Sequence, residues 1–298
     1  MSITIMKNRL FQKSPLSGDQ TEELEWDGSL PSERKYMKGK EEEQVLFGEV
    51  GDDKVREEGE EPLQESEETE SPLELDASKE YAIIVENVVK QFGEERVLKN
   101  VSHGFEKGKV HGIIGNNGSG KTVMFKCICG FMQPTEGRIL VRGKEIGKDV
   151  DFPEHIGIII ETPGFLAFKT GFRNLQILAS LNNRIGREEI IRTIERVGLD
   201  PAMKKTVSKY SLGMRQRLGI AQAIMEDPDL LILDEPFNGL DKHGVADIRN
   251  IIMELKEQGK TILLASHNAD DIRILCDTVC EMDAGILREV SGHETKEE

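Results

Sequence analysis

Apolar positions are scattered and aperiodic through the first eighty residues, then become regular near Tyr81. Ile83-Ile84-Val85 predicts a short strand, and Val97 to Phe105 and Val110 to Ile114 predict two more, with Lys107-Gly108-Lys109 as a hairpin turn between them. Helical spacing runs from Lys121 to Ile128 and stops at Gly130, a residue suited to closing a helix. Pro134-Thr135-Glu136-Gly137 is a turn, Arg138 to Val141 a strand ended by Gly143, and Ile158-Ile159-Ile160 the end of a further strand. The period then turns helical. Phe172, Leu175, Leu178 and Leu181 fall on one helix face, and Ile190, Ile191, Ile194 and Val197 on a second. Asp200-Pro201 predicts a short third helical piece, and another helix spans about Leu212 to Met225, before Pro228. Leu230-Leu231-Ile232-Leu233 is wholly apolar, as in a parallel sheet covered on both faces. Val245 to Lys256 is a helix with Gly259 just past it, Thr261 to Ala265 a strand, Asn268 to Leu275 a helix and Thr278 to Met282 a last strand. This alternation predicts an α/β fold with a helical insertion near residues 165–212.

Charge divides the chain differently from its apolar pattern. Of 298 residues, 55 are Asp or Glu and 39 Lys or Arg, but residues 1–80 hold 23 of the acids and 10 of the bases. The rest is close to neutral, and such a chain shows no electrostatic footprint for nucleic acid. Runs such as Glu57-Glu58-Gly59-Glu60-Glu61 repel themselves and bury too little to offset ordering entropy, so residues 1–80 read as a mostly disordered acidic tail. Trp26, Tyr36 and Val45-Leu46-Phe47 are isolated apolar spots within it, and residues 291–298 read as a polar C-terminal tail. No apolar run reaches the 18 or so residues that a bilayer span needs. The start at Met1 has too short an apolar stretch for a signal peptide. Cys127, Cys129, Cys276 and Cys280 lack zinc-ligand spacing and read as small buried hydrophobes.

Three segments carry chemistry. Gly115-Asn116-Asn117-Gly118-Ser119-Gly120-Lys121-Thr122 fits the P-loop pattern and lies between a predicted strand and a predicted helix. Its glycines let the backbone bend its N–H groups toward phosphate oxygens, and the helix that follows points its positive end there. Lys121 can reach the β- and γ-phosphates, and Thr122 can offer its hydroxyl to Mg²⁺. Second, the apolar strand Leu230 to Leu233 delivers Asp234 and Glu235 to its carboxyl end, where ligands bind in open parallel sheets. Asp234 suits the Mg²⁺ shell through water, and Glu235 suits polarising an attacking water. Third, Ser211-Leu212-Gly213-Met214 opens a helix. Ser211 is explained as an N-cap, but the same free N–H groups, hydroxyl and dipole also make an anion site. A second anion site on a chain with one P-loop is most economically used by a nucleotide held on another copy.

Over residues 82–290 these segments, in this order, resemble the ATP-binding cassette (ABC) proteins. The resemblance makes Ser211 to Met214 the signature motif, Asp234 and Glu235 the Walker B carboxylates, Asn238-Gly239-Leu240-Asp241 the D-loop and His267 the switch histidine. It also makes Phe92 the aromatic that stacks on adenine, against the plainer reading of a half-buried core ring. Two positions depart from the family pattern. Glu161 stands where Gln is usual, a carboxylate still able to hold Mg²⁺ or water, and the signature has Leu212 and Met214 where Gly and Gln are usual. With Glu161-Thr162-Pro163-Gly164-Phe165, this looks like the bacterial antibiotic-peptide and lantibiotic exporter branch.

The resemblance implies a P-loop NTPase (RecA-like) core with an antiparallel β subdomain and an α-helical subdomain over residues 81–290. It implies ATP and Mg²⁺ as ligands, and a head-to-tail pair of cassettes with ATP between the P-loop of one and Ser211 and Gly213 of the other. In that site Glu235 orients water, His267 contacts the γ-phosphate and Lys121 offsets developing charge. The implied role is the ATPase subunit of an exporter of a peptide or drug-like compound, held on the cytoplasmic membrane face by a separate permease that docks on the helical insertion and Glu161 to Phe168. The rival readings are a soluble ABC ATPase acting in translation, a DNA-repair or chromosome ATPase, whose long coiled coils are missing between the motifs, and a nucleotide-gated regulator.

Overall fold

Two sheets share the chain in the computed structural model, which describes residues 75–161 and 163–290. The acidic tail expected before this, with Trp26, Tyr36 and Val45 to Phe47, and the polar tail at 291–298 lie outside the described residues, except for the tail's last six positions. The first sheet is antiparallel, in the order β2-β1-β4-β5, from β1 (Tyr81–Phe92), β2 (Glu95–Glu106), β4 (Glu136–Val141) and β5 (Lys144–Glu145). The second has the order β10-β9-β3-β8-β7-β6. Its strands are β3 (Val110–Ile114), β6 (Ile156–Ile159), β7 (Leu230–Asp234), β8 (Thr261–Ala265), β9 (Thr278–Asp283) and β10 (Ile286–Glu289). All neighbours in it run parallel except β10, which pairs antiparallel with β9.

Strand period 2 explains the wholly apolar central strands. Leu231 and Leu233 of β7, and Ile262 and Leu264 of β8, enter one core with α2 (Gly171–Asn182), α3 (Arg187–Arg196), α4 (Leu212–Ile224) and α5 (Lys242–Glu257). Leu230 and Ile232, with Leu263 and Ala265, enter the other with α1 (Lys121–Ile128) and the antiparallel sheet, where Phe105 and Phe125 are fully buried. Neither face of the parallel sheet is left to water, so alternation has nothing polar to place there. A last helix, α6 (Ala269–Leu275), packs Ile272 and Leu275 into the first core.

Three expectations change. Lys107-Gly108-Lys109 does not close a hairpin, because β2 and β3 belong to different sheets. Val110 to Ile113 are all buried, which needs parallel strands on both sides. The linker is accordingly tied to its flanks, with Gly108 N–H donating to Thr261 Oγ1 and Ile262 N–H to the Lys109 carbonyl. The hairpin instead joins β1 to β2 through Gly93-Glu94, with Phe92 opposite Glu95 and Gly93 at φ +59°. Asp200-Pro201 is a turn rather than a helix start, since the Asp200 carboxylate accepts the Ala202 N–H at 2.8 Å. On α2 Phe172 and Leu178 pack partly buried against the core beside Leu175 as expected, but the fully buried stripe also takes in Asn174 and Ala179 and leaves Leu181 at its margin. Asn174 reads as polar in the sequence, yet it is buried because its amide closes the preceding loop onto Leu166 and the Thr170 carbonyl.

Candidate nucleotide-binding site

The strand order explains why distant motifs meet. β3, β8, β7 and β6 are neighbours, so the segments after their carboxyl ends lie along one edge of the sheet: Gly115 to Lys121, His267, Asp234-Glu235 and Glu161. The loop after β3 turns through Gly115, Gly118 and Gly120, at φ +144°, +82° and +113°. A Cβ at Gly115 would lie 2.1 Å from the Met282 carbonyl oxygen, whereas one at Gly118 would meet nothing. Gly115 is thus required by space and conformation together, and Gly118 by conformation alone. Gly120 caps α1 with no side chain, which leaves the first N–H groups of that helix pointing at the loop.

The side chains there converge. Lys121 is buried and its Nζ donates to the Gly115 and Asn116 carbonyls at 2.7 and 3.0 Å, so the ammonium lies across the mouth of the loop. Thr122 Oγ1 donates to Asp234 Oδ2 at 2.7 Å, bringing together the two groups expected at a metal from positions 112 residues apart. Burial pushes the Asp234 carboxyl above its ordinary range, opposed by the Thr122 hydrogen bond, with Glu235 nearby adding to the rise. Ser119 Oγ is the one buried side-chain polar atom among the described residues that has no hydrogen-bond partner. An orphan donor, a cationic ammonium, free helix N–H groups and a buried carboxylate fit a polyphosphate with a divalent cation. A cavity of about 660 Å³ opens here, lined by Gly118, Lys121, Thr122, Glu161, Asp234 and Glu235 among others, a size suited to a small ligand.

Past the end of β7, Glu235 stands at φ +52°, a left-handed conformation that a residue with a Cβ seldom adopts. Its N–H still extends the ladder to the Ala265 carbonyl, and its carboxylate meets His267 Nδ1 at 2.8 Å. Because β7 and β8 are adjacent, Glu235 and His267 form a pair.

A family model described as ABC transporter matches residues 98–238. YybJ of Bacillus subtilis (strain 168), an uncharacterized ABC transporter ATP-binding protein, is 44% identical over 205 residues, 69% of this chain and 94% of its own length. The chain belongs to the ABC transporter ATP-binding proteins. The bacitracin transport ATP-binding protein BcrA of Enterococcus faecalis is 42% identical over 212 residues, covering 70% of this chain and 69% of its own. In fold the chain resembles a dimeric ATP-binding cassette in a post-hydrolysis state bound to ADP and Pi. The TM-score is 0.63 at 23% identity, over 70% of this chain and 99% of that one. As an ABC ATPase the chain binds ATP with Mg²⁺ and hydrolyses it.

Other predicted site residues of this ABC protein take up distinct places. Glu161, at φ +57°, pairs with Lys126 of α1 at 2.5 Å while lining the cavity. Ser211 caps α4 by accepting the Met214 N–H at 3.2 Å and is itself exposed. Gly213 lies against the D-loop, where a Cβ would come within 2.8 Å of the Gly239 carbonyl oxygen. Of the signature, Leu212 lines the phosphate cavity, whereas Ser211 and Gly213 do not. Phe92 ends β1 with its ring 46% exposed, belongs to neither core and carries the Lys90 ammonium 5.2 Å from its centroid. That placement disfavours the core-ring reading. Asp241 of the D-loop caps α5, accepting the Gly244 N–H at 2.8 Å. The four cysteines are free and buried, and burial raises each thiol, Cys127 to about 11 and Cys276 and Cys280 to about 12.

Sequence reasoning passed over Gln216. It is buried in α4, and its Nε2 donates to the Glu235 and Pro236 carbonyls at 3.2 and 3.0 Å. Its signal was a lone amide between Arg215 and Arg217 on a helix that opens the signature.

Proposed function

We propose that the chain powers export of a peptide or drug-like compound through a separate membrane-spanning polypeptide, with its cassette at residues 81–290. The observation that carries this reading is the 42% identity to a bacitracin transport ATP-binding protein across the cassette. No helix among the described residues is long and apolar enough to cross a membrane, so the conduit must come from elsewhere in the assembly. This supports peripheral attachment on the cytoplasmic side through a permease. The exposed Phe168, in the loop between β6 and α2, supplies an apolar contact for it. The relatives' names do not favour action in translation or as a nucleotide-gated regulator.

The site's residues divide the work. The P-loop amides, Lys121 and Ser119 hold the β- and γ-phosphates, Phe92 stacks on the adenine, and Thr122 and Asp234 hold Mg²⁺, with Glu161 at its edge. Bound there, Mg²⁺ neutralises charge that develops on the phosphate oxygens. Glu235 accepts a proton from the attacking water, and His267 both orients Glu235 and faces the γ-phosphate. The exposed Ser211 and the half-buried Gly213 meet the nucleotide on a second copy, so ATP joins two cassettes and its hydrolysis separates them. The test is Glu235→Gln. Turnover falls by roughly a hundredfold or more, and an ATP-dependent dimer accumulates on size-exclusion chromatography. Turnover at the normal rate in this variant would falsify the assignment.

A further inference from the structure

We propose that Gln216 is a positioning residue for Glu235, an inference that rests on Glu235 being the general base. Glu235 is held in the left-handed region although it has a Cβ, and such a conformation persists only where surrounding contacts over-determine it. Few contacts hold it there. The Glu235 N–H is taken by the Ala265 carbonyl, the carboxylate by His267, and the carbonyl by the Gln216 amide at 3.2 Å and the Asn238 N–H at 3.3 Å. The same Gln216 nitrogen also takes the Pro236 carbonyl at 3.0 Å. Both carbonyls of the Glu235-Pro236 turn therefore converge on one side-chain amide, and Pro236 offers no N–H to hold the turn in its place.

Gln216 is itself fixed. It lies in α4, where its neighbour Arg217 donates to the Val197 carbonyl at 2.6 Å and to Asp247 at 2.8 Å, joining α4 to α3 and α5. The buried Leu218 and Ile220 lock the rest of the helix into the core. The amide thus comes from a rigid element and acts on a strained residue of that sheet edge. Gln216 also lines the cavity, but its amide nitrogen is taken up by the Glu235 and Pro236 carbonyls. Removing it frees the turn to relax toward ordinary φ values and swings the carboxylate away from His267, while the P-loop keeps its own contacts.

The consequence separates turnover from binding. In Gln216→Leu, a volume-similar side chain without donors, kcat falls about tenfold or more, whereas the KM for ATP stays within about twofold because Lys121 and the P-loop amides are untouched. Gln216→Glu supplies a second readout. Its ionised carboxylate cannot donate to the two carbonyls, but its protonated form has one O–H that can. The kcat of Gln216→Glu relative to wild type therefore rises as pH is lowered from about 9 to 6, while the same ratio for Gln216→Leu stays flat. A role in packing alone would give both variants flat ratios. The experiment measures steady-state ATPase activity of the full chain with Mg·ATP for wild type, both variants and Glu235→Gln. An unchanged kcat in Gln216→Leu, or a flat ratio for Gln216→Glu, overturns the proposal. Full activity in Glu235→Gln overturns instead the reading on which it rests.

Discussion

His111 shows how one residue can tie stability to pH away from the chemistry. It is buried between the two sheets, with Nε2 2.8 Å from the Glu106 carbonyl and Nδ1 2.7 Å from Thr278 Oγ1. A carbonyl only accepts, so Nε2 carries the proton and Nδ1 accepts from the threonine hydroxyl. Burial is the main cause that lowers its pKa from 6.5 to about 4. Between those values the unfolded chain takes up a proton that the folded one refuses. The contribution is therefore complete above pH 6.5 and is lost as pH falls toward 4, with an upper size of about 3 kcal/mol. The expected result is an imidazole that keeps its neutral NMR signature at pH 5, together with a melting temperature that falls through this window. An imidazole that titrates near 6.5 would refute the assignment. At the same scale, the P-loop and Asp234-Glu235 were readable because their chemistry is local. The Glu235–His267 pair and the grip of Gln216 were not, since each depends on which elements lie side by side.

At the scale of elements, β7 shows what pattern can and cannot convey. Its unbroken apolar run correctly implied cover on both faces, and the structure assigns alternate residues to two separate cores. Cutting into either should cost alike. Leu231→Ala, on the helical side, and Ile232→Ala, toward the antiparallel sheet, are each expected to lower stability by about 2–5 kcal/mol in urea unfolding. A near-neutral result for one of them would mean that its face is not packed. The elements that pattern misread were those decided by partners. The linker at Lys107 to Lys109 looked like a hairpin because it is short and holds a glycine, yet Val110 needed parallel neighbours. β5 is two residues long, too short to carry a period. β10 follows a two-residue turn in which Ala284 and Gly285 both have positive φ, and alanine gives little warning of that conformation.

For the whole molecule, all ten strands of the described residues and every motif fall between residues 81 and 290. Removing residues 1–74, which keeps the contacts of Leu75 and Asp76, is therefore expected to leave Mg·ATP turnover within about twofold. Loss of folding in that deletion would make the acidic segment part of the cassette. Strand order has one further consequence, in time rather than space. The strand that leads into the P-loop pairs Val110 with Ile262 and His111 with Thr278, both roughly 150 residues or more downstream. At a synthesis rate of about 5–20 residues per second, β3 waits on the order of ten seconds or longer for either neighbour to emerge. Throughout that interval its N–H and C=O edges are unpaired on both sides, and the loop meant for phosphate has no sheet to hold it. The nascent chain thus cannot be rescued early by its own nucleotide. Its most exposed moment comes late in synthesis, just before β8 and β9 close around β3.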